Sequence, residues 1–188
     1  MVKMTKQKVL PQILKRKQVA KSQLFAIEQL ELQFSNGVER VYERMQGSGR
    51  GAVMIVPMLD HETILLVKEY CAGTHSYELG FPKGLIDPGE KPIVAADREL
   101  KEEVGYGAKQ LTLLHTVAMA PAFFSGSMEI FLAQTLYPEK LTGDEPEPLD
   151  VVSWKIKDYK ALLQHPDFNE ARSIAALMLV VDSVKSSE

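Results

Sequence analysis

The segment Arg98–Gly105, RELKEEVG, holds three carboxylates within five residues, Glu99, Glu102 and Glu103, and closes on a glycine. Like charges one helical turn apart repel by roughly a few tenths of a kcal/mol when exposed, and by more when partly buried. Two arrangements relieve that repulsion. In one, Arg98 and Lys101 neutralise the carboxylates on a wet helix face, which is ordinary for charge-rich helices. In the other, a hard divalent cation such as Mg²⁺ takes the carboxylate oxygens and completes its coordination with water and substrate phosphates.

The residues upstream favour the second arrangement. Gly84 lies six positions before Glu90, and seven residues separate Glu90 from Arg98. A glycine lets the backbone approach a ligand closely, and the helix after it presents carboxylates to a metal. The full pattern is G-x5-E-x7-R-E-U-x-E-E-x-G-U, with U aliphatic, filled by Gly84, Glu90, Arg98, Glu99, Leu100, Glu102, Glu103 and Gly105. Only Tyr106 departs from it, at the last aliphatic position.

These residues need a helix over Pro92–Val104, with Pro92 at its first position and Gly105 as its stop. At 100° per residue, Ile93, Ala96, Leu100 and Val104 face the core. Glu99 and Glu103 share another arc, with Glu103 about 60° from Leu100 at the edge of the buried stripe. Around the helix the chain reads as short strands. Asn36-Gly37 between the alternating runs of Leu24–Met45 is a hairpin signal. Ala52–Leu59, Thr63–Val67, Ser76–Leu79, Leu111–Met119, Met128–Gln134 and Val151–Trp154 read as further strands. A short helix fits Asp158–Gln164, and a longer one fits Asn169–Lys185, with Ile174, Leu177, Met178 and Val181 as its core stripe. Strands with helices inserted singly predict an α+β domain built on a mixed sheet.

Composition narrows the function. A net charge of −3 gives no broad basic surface for nucleic acid or anionic membrane. No run approaches the apolar length of a membrane span. The single cysteine, Cys71, excludes an internal disulfide and agrees with a reducing compartment. The basic start, residues 1–23, lacks the apolar core of a signal peptide and reads as a flexible or edge-pairing segment. A transit peptide is the competing reading. The expectation is a cytoplasmic protein.

The Gly84-to-Tyr106 pattern resembles the Nudix box at every fixed position. That resemblance implies the Nudix fold, a mixed β-sheet sandwiched between helices. It makes Glu99 and Glu103 direct metal ligands, with Glu102 in or near the ligand set and the carbonyl of Lys83 as a further ligand. Glu90 and Arg98 become a pair that fixes the loop on the helix, and Gly84, Leu100 and Gly105 are structural members of the box. The implied reaction is hydrolysis of a nucleoside diphosphate linked to another group, by in-line attack of metal-activated water, with Mg²⁺ or alternatively Mn²⁺.

Features outside the box resemble the ADP-ribose pyrophosphatase subfamily. Pro121 follows Gly105 by 16 residues, as in that subfamily. Asp144-Glu145-Pro146-Glu147 is similar to its acidic loop, which implies Glu145 as general base and Glu147 as a metal ligand. Glu145, Glu102 and Arg98 then form the catalytic set. The hairpin layer ahead of the box is similar to the subfamily's dimerisation segment, which also helps to bind the adenosine half. Phe25, Phe34 or Tyr42 would stack on adenine, with a core or dimer role as the alternative. Arg40 and Arg44 are candidates for phosphate or dimer contacts, with a solvated strand face as the alternative. Tyr70 and Pro121 join Phe25, Tyr42 and Arg44 as substrate-binding candidates.

SNGVERVYERM, SYELG, KGLIDPGE, GDEPEP and DFNEARSIAAL together resemble bacterial ADP-compound hydrolases over essentially the whole chain. Two departures point to a wider substrate range than ADP-ribose alone: Cys71 stands where an arginine is usual, and AFFSGSM after Pro121 lacks an acidic residue. The resemblance implies a homodimer with a dimerisation segment over residues 1–48 and a hydrolase domain over 49–188. It would cleave ADP-ribose, NADH or diadenosine polyphosphates to AMP. Coenzyme A or another nucleoside diphosphate compound is the alternative substrate, and a ligand sensor without catalysis is the rival function.

Overall fold

The computed structural model describes residues 8–47 and 49–185. The chain divides into two compact units, one of residues 1–49 with 120–126, the other of residues 50–119 with 127–188. The first seven residues of the basic start lie outside the described residues.

The first unit is a three-stranded antiparallel sheet in the order β1 (Gln12–Lys21), β2 (Ala26–Gln33), β3 (Glu39–Gln46). The predicted hairpin is β2–β3. Gly37 takes φ 82°, the Phe34 N–H donates to the Val38 carbonyl at 2.9 Å, and Asn36 Oδ1 accepts the Val38 N–H at 3.1 Å. The positive φ is why glycine stands there. The third strand comes from the basic start, which pairs along β2 with Lys15 opposite Glu31. The tip of residues 120–126 belongs to this unit through the Met45 N–H, which donates to the Phe123 carbonyl at 2.7 Å.

The second unit contains β4 (Ala52–Pro57), β5 (Thr63–Cys71), β6 (Ser76–Gly80) and β7 (Lys83–Leu85). Helix α1 (Pro92–Glu99) continues into a π-helical turn (Leu100–Val104). Then come β8 (Tyr106–Met119), β9 (Gly126–Pro138), β10 (Asp150–Lys155), a 3₁₀ turn (Ile156–Asp158), α2 (Tyr159–Leu162) and α3 (Ala171–Lys185). The strands form two sheets, β10-β5-β6 and the mixed β7-β4-β9-β8, in which β4 and β9 run parallel.

Strand β4 is buried on both faces, which is why its sequence is almost wholly apolar. Alternation sends Ala52, Met54 and Val56 toward α2 and α3, while Val53 and Ile55 face α1. Helices therefore cover both faces, and the α+β class with a mixed sheet between helices is the observed one. Two details of the predicted core differ. Ile93 is 45% exposed, and Ala95 joins the predicted Ala96 in facing the sheet, since small side chains let the helix lie close to it. On α3, Met178 is exposed, and the buried stripe is Ala176, Leu177, Val180 and Val181. Tyr106, the one departure from the box, packs half-buried at the edge of the core beneath α1.

Candidate active site

The loop between β6 and α1 is fastened to the sheet before it reaches the helix. The Ile55 N–H donates to the Pro82 carbonyl at 2.9 Å. Strand β7 then pairs antiparallel with β4, setting Lys83 opposite Met54 and Gly84 opposite Val53. Gly84 is required by close approach. A Cβ there would lie 2.1 Å from the Glu99 carboxylate, so any side chain would displace it. The Lys83 N–H donates to Glu103 Oε2 at 3.3 Å, and Lys83 Nζ pairs with Glu69.

Arg98 ties the loop, the helix and two carboxylates together. Its Nε and Nη2 donate to the two oxygens of Glu90 at 3.1 and 3.0 Å, and Nη2 also donates to the Leu85 carbonyl at 3.0 Å. Its Nη1 donates to Glu99 Oε1 at 2.7 Å and Glu102 Oε2 at 2.9 Å. A guanidinium has five N–H donors in a rigid fork, and these five contacts account for all of them. Only arginine can make this junction. The Arg98 fork holds the Glu90 carboxyl below its usual range, against the opposing push of burial.

The carboxylates of the helix are not on a wet face. Glu99 is 8% exposed and Glu103 4% exposed. Burial pushes the Glu99 carboxyl up, Arg98 works against that, and the Glu102 and Glu145 carboxylates add to the rise. Glu103 is pushed up to about 9, first by burial, with the Lys83 charge opposing and Glu69 and Glu99 adding to it. Two buried carboxylates one turn apart raise each other's cost of ionisation. Hard oxygen donors concentrated this way fit a divalent cation. Among the described residues, however, no three His, Cys, Asp or Glu groups already form a cation-sized cluster. Arg98 Nη1 draws both Glu99 and Glu102 to itself. The donor chemistry fits a cation that replaces this guanidinium contact.

The acidic loop of residues 143–149 contributes Glu145, half-buried, whose charge is felt at Glu99. Its side chain folds over Gly143, where a Cβ would lie 2.1 Å from Glu145 Oε2. Glu147 accepts a hydrogen bond from the Tyr77 hydroxyl, which raises the Tyr77 phenol. Tyr77 stands edge-on to Tyr70 at 5.8 Å, and the Tyr70 hydroxyl meets His75 Nδ1 at 2.8 Å. Cys71 beside them is half-buried, and burial pushes its thiol up, which makes it a poor nucleophile.

The remaining candidates belong to the first unit. Phe25 and Tyr42 are exposed at 56% and 48%, and Phe34 stacks obliquely on Tyr42 at 6.4 Å. Arg44 lies across from the buried Glu28 and pairs with it through Nε at 2.9 Å and Nη2 at 2.8 Å. Arg40 Nη1 donates to the Glu39 carbonyl at 2.7 Å. Pro121 sits exposed in the turn of residues 120–126.

This construction of glycine loop, arginine junction and buried glutamates defines a class. The family model described as the NUDIX domain matches residues 49–178, and that described as the NudE-type Nudix hydrolase N-terminal domain matches residues 11–44. The chain belongs to the Nudix family and is a Nudix hydrolase. It is 57% identical to the ADP compounds hydrolase NudE of Escherichia coli strain K12, over 93% of this chain and 94% of that protein. It is 29% identical to an ADP-ribose pyrophosphatase of Bacillus subtilis strain 168, over 87% of this chain and 91% of that one. A crystal structure of an ADP compounds hydrolase matches with a TM-score of 0.91 and 55% identity, covering 97% and 98% of the two chains.

Some residues around the site had no place in the sequence reading. Glu69 pairs with Lys83, Tyr77 holds Glu147, and Lys140 donates to the Glu102 carbonyl at the end of the helix. Tyr77 shares its strand face with the buried Leu79, so alternation alone gives no signal that it is exposed. Lys101 pairs with Asp97 at i, i+4, a spacing visible in the sequence. Lys140 lies 38 residues from its partner and carries no local signal.

Proposed function

We propose that this chain is a divalent-cation-dependent pyrophosphatase of ADP-linked compounds, with ADP-ribose, NADH and diadenosine polyphosphates among its substrates and AMP as a product. Relatives named as an ADP compounds hydrolase and an ADP-ribose pyrophosphatase support the ADP half of the substrate. The observation that carries the metal dependence is the buried pair Glu99 and Glu103, whose ionisation is costly without a cation beside it. Glu99, Glu103, Glu102, the Lys83 carbonyl and Glu147 would hold Mg²⁺, with Mn²⁺ as a substitute the same oxygens accept. When bound, the cation polarises the phosphates and lowers the pKa of water.

The chain's own groups do the rest. Arg98 and Glu90 keep the loop on the helix, and Gly84 leaves the space in which the Glu99 carboxylate sits. Glu145 takes the proton of the attacking water. Oxygen adds to a phosphorus, the bridging P–O bond breaks in line, and AMP leaves beside the second phosphorylated product. Phe25, Tyr42, Arg44, Tyr70 and Pro121 are the substrate-binding set. Residues 1–48 serve as a dimerisation segment for the hydrolase domain of residues 49–188, and the homodimer works in the cytoplasm. No helix among the described residues is long and apolar enough to cross a membrane.

The test is a panel of ADP-ribose, NADH, NAD, diadenosine triphosphate and ADP-glucose, each with Mg²⁺ and with EDTA, reading AMP release. Cleavage that needs the cation supports the proposal, and no AMP from any of the five overturns it.

A further inference from the structure

Across the end of the carboxylate helix the molecule builds a clamp. A helix leaves its last carbonyls without intrahelical partners. Here the chain leaving β9 supplies them. The Leu141 N–H donates to the Lys101 carbonyl at 3.2 Å, and the Glu139 N–H donates to the Gly105 carbonyl at 3.1 Å. Between them, Lys140 Nζ donates to the carbonyl of Glu102 inside the π-helical turn. Lys101 closes the clamp from the helix side, with Nζ 2.8 Å from both Asp97 and Glu139.

Two glycines leave room for this arrangement. Gly105 has φ +83°, and a Cβ there would lie 3.3 Å from Lys140 Cδ. A Cβ on Gly107 would lie 2.5 Å from the Tyr137 ring and 2.8 Å from Lys101 Cε. The lysine stem thus lies across the helix stop, and its ammonium meets the negative end of the helix dipole. From Leu141 the chain runs directly into the acidic loop, with Glu145 four residues on.

We propose that Lys140 is a positioning residue: by donating to the Glu102 carbonyl, it holds the helix bearing Glu99, Glu102 and Glu103 in register with the loop bearing Glu145. The inference rests on the roles proposed for those carboxylates. A π-helical turn is tolerated in few places and often marks a functional site. The clamp supplies donors to the carbonyls of Lys101, Glu102 and Gly105, so loosening it shifts the carboxylates without removing any of them. Displacements of about 1 Å are enough to slow a positioned reaction markedly.

The experiment compares Lys140→Met, which keeps the stem over Gly105 and removes the donor, with Lys140→Arg, which keeps both. Two readouts need no substrate: Mn²⁺ affinity by calorimetry, and amide hydrogen exchange over residues 100–105 and 139–145. The Met variant should show weaker Mn²⁺ binding and faster exchange in both segments. With ADP-ribose it should lose about tenfold in kcat, with KM held within about twofold. Arginine should restore most of each. Wild-type Mn²⁺ affinity and exchange in the Met variant would overturn the proposal, even if its Tm falls. If the Met variant does not fold, the same comparison is made with Lys140→Gln. Failure of the wild-type chain to cleave any ADP compound would instead overturn the proposed function and leave the exchange result standing.

Discussion

Glu103 combines two properties that rarely coexist, deep burial and a carboxylate with one hydrogen-bond donor, the Lys83 N–H. Its carboxyl is raised from 4.5 to about 9, so the folded chain holds a proton there that the unfolded chain loses. Folding at neutral pH must take that proton up. Stability from this group is therefore complete below pH 4.5 and is lost as pH rises toward 9. Glutamine keeps the shape and does not titrate. In EDTA, Glu103→Gln should match the wild-type Tm near pH 4.5 and exceed it at pH 8. With Mg²⁺ and ADP-ribose its kcat should fall by about two orders of magnitude or more, as expected when a ligand to a catalytic cation is lost. Near-wild-type turnover would remove Glu103 from the metal site, and equal Tm at pH 8 would remove the buried-charge argument.

At the scale of elements, what was legible in the sequence follows the range of the forces involved. The β2–β3 turn was readable because Asn36 and Gly37 decide its backbone locally. The helix start at Pro92 and stop at Gly105 were readable for the same reason. The π-helical turn was not, since its carbonyls are satisfied by Glu139–Leu141, a segment far along the chain. Strand β1 was legible only as one of two readings: its run QILKRKQVAK lacks the alternation that marks a strand, and it pairs along the edge of β2. The burial of Glu99 also escaped the helical wheel, because it depends on Gly84 pressing against it from another element. Helix α3 shows the local logic in testable form. Glu170 precedes the helix and accepts the N–H groups of Arg172 at 3.1 Å and Ser173 at 2.8 Å, two of the donors that a helix start leaves unpaired. Burial alone would push the Glu170 carboxyl up, but Arg172 and these N–H groups outweigh it and hold it below 4.5. Its stabilisation is therefore present above that pH and lost as pH falls through the lowered value. Glu170→Ala should cost about 1 kcal/mol at pH 7 in urea unfolding, and the difference should close as pH falls through the lowered carboxyl value. A gap that persists in acid would show that the side chain packs rather than caps.

At the scale of the whole molecule, the exposed apolar residues of the first unit decide how that unit stays folded. A three-stranded sheet needs an apolar face buried against something to be stable. Yet all ten residues of β1 are exposed, and Ile13, Leu14, Val41 and Tyr42 present 40–60% of their surface. Water is a poor partner for side chains of this kind, each worth roughly 1.5–3 kcal/mol on full burial. A second copy of the chain would offer the same apolar strands and would close the contact by two-fold symmetry, the commonest arrangement among soluble oligomers. Sedimentation equilibrium at micromolar concentration should then give twice the chain mass of 21.0 kDa. Val41→Glu, which places a charge on the exposed strand β3, should shift the mass toward the single chain. The same variant should keep the far-UV spectrum of the hydrolase unit, whose core lies in β4, β5 and α1. A wild-type chain that sediments at 21.0 kDa across this range would show that the sheet is buried by some other means. A Val41→Glu chain that remains dimeric would place the two-fold contact on other residues.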